Sequence, residues 1–393
     1  MPVRDHHFRL SRLRAALFGF LLCQYVLLAQ TPARLTLSVD GTTEQFKEPA
    51  VPSDHFELVT GDAQAIEDAS QRADVVNLVT EARRHSNVRA QPYSMKTSFT
   101  ASGNGSSDGT WELQDISPGK NTYRWTAEGP GFSAINLYVN GVLYSNRELG
   151  SLPIRLAQAR AAMFFTEHSL GPRAFIRKAA GNLDGVDLTC VLVSHNMDAK
   201  TVSGGRSWDE AETCIDPNSS TVIAYSPIPG LYIHYDYSNG IRFHEALVPG
   251  KFTIMQGNQP IIQAQTVSVT DPSGDPALFQ PAGLSAMGKG PAISSPWHYH
   301  ADAPAPSGVS VDQPQMVVVH AMQSPKGRLS DIEVISSSNN SLNNSARHYA
   351  SKWKSGPMGA VVAPGATPQS HEVFLTLRYV PPQQNKSGSG SNQ

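Results

Sequence analysis

Charge is scarce in this chain: only 16% of its 393 residues are charged, and 31 Lys and Arg nearly cancel 33 Asp and Glu. A chain without a net field of either sign has no general attraction for nucleic acid or for acidic surfaces, so nucleic acid is excluded as a partner. The zinc-helix signature HExxH and the phosphate loop GxxxxGK[ST] are both missing. The glycine-rich stretches GNGSSDG and SGGRS read as turns between strands. No catalytic, cofactor-binding or metal-binding residue is assigned on these grounds, and no cofactor is expected. No internal repeat is visible either, which excludes a solenoid.

Long apolar runs are also rare. The exception is Ala15 to Ala29 (AALFGFLLCQYVLLA), preceded by Arg4, Arg9, Arg12 and Arg14. Basic residues followed by an apolar run form the pattern of a secretory signal peptide, assigned here to residues 1–29. The run is about 15 residues long against the roughly 20 that span a bilayer, so cleavage is expected. The alternative is an uncleaved inner-membrane anchor. Export to the periplasm or cell envelope follows from the first reading. Of three cysteines, Cys23 lies in the leader, leaving Cys190 and Cys214. An even pair in an exported chain favours a disulfide, and closing a loop of about 25 residues contributes on the order of 3 kcal/mol.

With 31 glycines and 28 prolines, the chain suits many short strands with tight turns. Residues 63–87 have helical character, with Val75, Leu78, Val79 and Ala82 on one stripe. From YSMKTSFTASG onward, apolar and polar residues alternate in successive runs to about residue 271, and Asn140-Gly141 is a hairpin dipeptide. One helical interruption begins at Leu152. The expected fold class is mainly β (α+β): a large curved antiparallel sheet with one or two packed helices over residues 63–271. Residues 272–314 are rich in proline and small residues and read as a linker, or as a loop lying over the first domain. The tail, 381–393, has the composition of a disordered segment.

Residues 315–380 carry a strand (MVVVHAMQ), a turn, a strand (SDIEVISSS), a helix (SLNNSARHYASKW) and a strand (HEVFLTLRYV), a ββαβ order. Ala346, Tyr349, Ala350 and Trp353 fall at helical spacing and read as contacts onto the sheet. This unit resembles the C-terminal domain of TonB-family proteins. The resemblance rests on Val317 to Val319, Lys326-Gly327-Arg328, Val334 to Ser338, Leu342 to Ala346, Trp353, and Phe374 to Tyr379. LNNSA and WKSGP stand where members carry LDxAA and WxFxP. It implies a small sheet that captures an envelope partner by strand addition, which needs an exposed edge. The candidate edge is His371, Val373, Leu375, Leu377 and Tyr379; the alternative is that this strand is covered within the chain. Residues of about 66–290 loosely resemble the lipoprotein-carrier (LolA/LolB-like) half-barrel, which implies shelter for an apolar ligand.

Two further clusters are candidates for chemistry. His298 and His300 in WHYH project to one side of an extended segment, a spacing that two metal ligands can use. In GLYIHYDYSNGIRFHE, Tyr235 and Tyr237 share a face opposite His234 and Asp236, as an aromatic pocket wall would. The expectation is a non-catalytic envelope protein: the small unit docks an outer-membrane or other envelope protein, and the β domain binds an apolar ligand or a protein. One alternative is an inner-membrane-anchored energy transducer. Another is a metal-dependent or hydrolytic enzyme.

Overall fold

A computed structural model describes residues 49–52, 63–119, 121–147, 152–165, 170, 174–194, 205–289, 296–354 and 370–381. The leader and the tail beyond residue 381 lie outside the described residues.

A short strand β1 (Gln64–Ala65) precedes helix α1 (Ala69–Ser86), which begins where the Asp68 carboxylate accepts hydrogen bonds from the Ser70 and Gln71 amides. Arg83, Arg84 and His85 in its last turn complement the negative end of the helix dipole. Val75, Val79 and Ala82 form its buried stripe, with Leu78 half-buried beside them. The alternating run then folds as β2 (Tyr93–Ala101), β3 (Gly109–Gly119), β4 (Thr122–Gly129), β5 (Phe132–Val139) and β6 (Val142–Ser145). Asn140 and Gly141, both at positive φ, close β5 onto β6 as a two-residue hairpin turn of this kind requires.

Helix α2 (Ile154–Met163) follows, then β7 (Phe175–Leu183), β8 (Val186–Ser194), β9 (Ala211–Asp216), β10 (Thr221–Ile228) and β11 (Leu231–Asp236). A small hairpin, β12 (Ile241–Phe243) with β13 (Ala246–Val248), leads to β14 (Lys251–Gln256) and β15 (Gln259–Thr270). Two strands lie in the proline-rich stretch, β16 (Ser285–Lys289) and β17 (Trp297–Ala303). The last described elements are β18 (Gln315–Gln323), β19 (Leu329–Ser337), α3 (Asn343–Lys352) and β20 (His371–Tyr379).

Fourteen strands make one antiparallel sheet, in the order β1-β7-β8-β9-β10-β11-β14-β15-β2-β3-β4-β5-β6-β16. Register shifts at Thr266/Ser268, Ile254/Met255 and Ile116/Gly119 are the irregularities that bend such a long sheet. Its inner face carries the main core, including Phe99, Trp111, Trp125, Ile233, Tyr235, Phe252 and Ile254. α1 covers β9, β10 and β13, while α2 is buried on nearly every side, which marks a helix held between layers.

The second sheet has the order β17-β20-β18-β19. In β18, Val317, Val319 and Ala321 join Leu342, Ala346 and Ala350 beneath α3, while Met316 and Val318 enter the main core. Both faces of this strand are therefore covered, which is why it reads as a continuous apolar run. All described residues fall within one compact unit, Glu44–Gln393. The stretch 272–314 is accordingly more than a spacer: β16 pairs with β6 and β17 with β20, and the Arg124 guanidinium donates to the Leu278 carbonyl across the outer face.

Candidate functional site

Aromatic and branched side chains alternate inward along β2, β3, β4, β11 and β14 and give the large sheet an apolar inner face. Trp111 stacks on Phe99 with centroids 5.8 Å apart, and its indole N–H donates to the Ser107 carbonyl at 3.0 Å. Tyr235 lies against Phe165 at 4.5 Å, and its hydroxyl donates to the Ala162 carbonyl of α2. Met316, Val318, Ile335 and Phe374 of the second sheet also pack into this core. Between the second sheet and this face lies a cavity of about 20 Å³ bordered by Gln158, Tyr225, Leu231, Ile233, Ile254 and Glu372. That is room on the scale of one water molecule and no more.

The seam between the two sheets is charged as well as apolar. Arg155 of α2, 1% exposed, donates to both Glu333 carboxylate oxygens at 3.0 and 2.8 Å, to Gln158 Oε1 at 2.8 Å and to the Ser102 carbonyl at 3.2 Å. Asn104 adds a bond to Glu333 at 2.7 Å. His320 of β18, fully buried, places Nε2 2.8 Å from Glu372 Oε1 and Nδ1 3.7 Å from Glu333 Oε2. Its ring stacks on Phe374 with centroids 5.0 Å apart. Burial pulls the His320 pKa down, but the carboxylates of Glu333 and Glu372 outweigh it and the pKa is raised. For Glu333, burial pushes the pKa up, and His320 and Arg155 reverse that to hold it below the usual carboxylate range. Backbones also meet at this seam: a Cβ on Gly230 would lie 2.3 Å from the Ile335 carbonyl oxygen.

The residues singled out from sequence take different places. Cys190 and Cys214 face each other on β8 and β9 and form a disulfide in a cluster with Leu188, Ala224, Tyr232 and Met255. His371, Val373, Leu375, Leu377 and Tyr379 are not an open edge, which corrects that expectation. β20 pairs in parallel with β17 on one side and antiparallel with β18 on the other, and Val373, Leu375, Leu377 and Tyr379 are core residues facing α3. The edges of this sheet are β17 and β19.

His298 and His300 both lie on β17, where His298 packs on Phe374 at 5.2 Å. The His300 pKa is lowered, by burial first, with Asp209 opposing. Among the described residues, the one group of His, Cys, Asp or Glu within metal-ligating range is Cys190, Glu212 and Cys214, whose sulfurs are already joined to each other. Tyr235 and Tyr237 do share the inner face, yet their hydroxyls donate to the Ala162 and Val222 carbonyls, so they pack rather than line a pocket. Gly105-Ser106-Ser107-Asp108-Gly109 has the form GxSxG. It is a turn leading into β3, and Ser107 is buried there, whereas a nucleophile elbow exposes its serine between a strand and a helix.

No protein-family model matches the chain, the TonB family included, and no curated protein matches it. Solved structures do. A LolA superfamily protein from Nitrosomonas europaea is similar at 10% identity over 52% of this chain and 96% of its own, with a TM-score of 0.34. A DUF1329 family protein from Desulfovibrio piger is similar at 8% identity over 54% of this chain and 98% of its own, with a TM-score of 0.37. Among the described residues, no helix is long and apolar enough to cross a membrane.

Proposed function

We propose that this is an exported, non-catalytic binding protein of the bacterial cell envelope, whose curved sheet takes an apolar, acyl-type ligand on its inner face and whose second sheet is the cover of that face. The observation that carries the reading is the make-up of the inner face. Its aromatic and branched side chains are continuous from Trp111 to Ile254, and at one end they are covered by a separately cored layer through only a few apolar side chains and a charged seam. With the cover seated, the cavity beneath it is about 20 Å³, too small for an acyl chain, so such a chain takes this place only as the cover lifts. Strand addition at β20 forms no part of this reading, since both its edges are taken.

The test is to express the full chain with its leader, extract it with organic solvent, and titrate it with a fatty acid bearing an environment-sensitive dye. Saturable binding displaced by unlabelled fatty acid is the expected result. Absence of saturable binding in both the wild type and Arg155→Met, which weakens the seam, refutes the reading.

A further inference from the structure

We infer that Arg155, Glu333, His320 and Glu372 form an ionic latch that holds the second sheet over the inner face and releases it when His320 loses its proton. This rests on reading that sheet as a cover. The groups facing His320 come from every element around it: Glu333 and Asp331 from β19, Glu372 from β20, Arg155 of α2 through Glu333, and Tyr225 of β10 beside Glu372. With His320 protonated, two cations balance the carboxylates of Glu333 and Glu372. Without that proton the two carboxylates share one arginine, and Glu372 keeps only a neutral imidazole at 2.8 Å. A buried carboxylate without its cation is costly, and the simplest relief is entry of water along the seam.

Position argues for a latch rather than a general core contact. Arg155 reaches Glu333 across 178 residues, from α2 to the second sheet, where only Met316, Val318, Ile335 and Phe374 join the main apolar cluster and the opposite face has a core of its own. Parting the layers breaks the ionic contact between Arg155 and Glu333, and admits water to the His320 and Glu372 pair while leaving both sheets' backbone ladders whole. The sign follows from a histidine whose folded pKa is raised. The closing contribution is complete below the ordinary imidazole value of about 6.5 and is lost as pH rises through the folded value. The cover is thus held at and below the ordinary imidazole range and loosens as pH rises above it.

The experiment follows the full chain across pH by two measurements without lipid: imidazole nitrogen NMR, with His320 assigned from His320→Gln, and fluorescence of a naphthalene sulfonate dye that reports exposed apolar surface. Far-UV circular dichroism is recorded alongside. Dye binding should rise reversibly with the His320 midpoint while circular dichroism stays constant, and Glu372→Gln should move both midpoints down by about one pH unit. If His320 titrates with no change in dye binding, or if the dye step persists in His320→Gln, the latch is refuted. Should His320→Gln not fold, the paired shift in Glu372→Gln decides. A dye step without fatty-acid binding removes the cargo and keeps the latch, and fatty-acid binding without a dye step removes the latch alone.

Discussion

Replacing Arg155 by methionine keeps most of the side-chain volume while deleting the guanidinium that donates to Glu333 twice, to Gln158 and to the Ser102 carbonyl. The larger part of the cost is what the change leaves behind. Glu333, with a side chain only 11% exposed, retains Asn104 and the more distant His320 but loses its bidentate partner. Breaking a buried ion pair from one side costs about 3–5 kcal/mol. The two surviving contacts place Arg155→Met near the lower end, about 3 kcal/mol. Arg155→Met/Glu333→Leu removes the stranded carboxylate as well and should lie within about 1 kcal/mol of the wild type, so that it is about 2 kcal/mol more stable than Arg155→Met alone. Urea unfolding of the four proteins of this cycle, below the His320 titration, measures both values. Equal losses in the single and double variants, or a single loss of about 0.5 kcal/mol or less as for a surface pair, would show that the seam is not held by this contact.

Cys190→Ala/Cys214→Ala should lower stability by about 3 kcal/mol, and wild type unfolded in reductant should match it; a difference between them would mean the alanines act through packing. Gly230→Ala brings a methyl carbon into the Ile335 carbonyl and should raise apolar-dye binding at neutral pH. Gly257→Ala, also at positive φ but with no atom near its Cβ, should leave dye binding unchanged. Equal effects at the two glycines would assign the change to backbone strain alone.

Where one face of a strand meets the core and the other meets water, alternation is legible in the sequence, as in β2 with Met95, Thr97 and Phe99 inward and Lys96, Ser98 and Thr100 outward. β7 is hard to read because both its faces are covered: Ile176 enters the main core, while Arg177, in the opposite row, is fully buried against Glu210, and a buried charge hides the pattern. The turn that closes it onto β8, Asp184-Gly185 at positive φ, was as good a signal as Asn140-Gly141. β16 and β17 were hidden by the proline-rich composition around them, and β17 is half-exposed along most of its length. The seam was the least legible part. Arg155, Glu333 and Glu372 read as ordinary surface charges, and their contacts span 178 and 52 residues, distances at which spacing carries no information. The available hint was an arginine set among apolar neighbours in IRLAQARAAM, where only an acceptor from elsewhere makes burial tolerable.

Among the described residues, β17 has β20 as its only strand neighbour, in the one parallel pairing, and β20 is the last strand. Synthesis runs from the N-terminus, so Trp297–Ala303 must leave the ribosome and wait until His371–Tyr379 has followed before it has anything to pair with. Such long-range closure is slow, and during the wait the segment carrying Trp297 and Tyr299 is open to other strands. A premature stop ahead of His371 would therefore remove one strand from the polypeptide and two from the sheet, leaving β18 as a bare apolar edge. Truncated products ending before His371 should be found in the insoluble fraction.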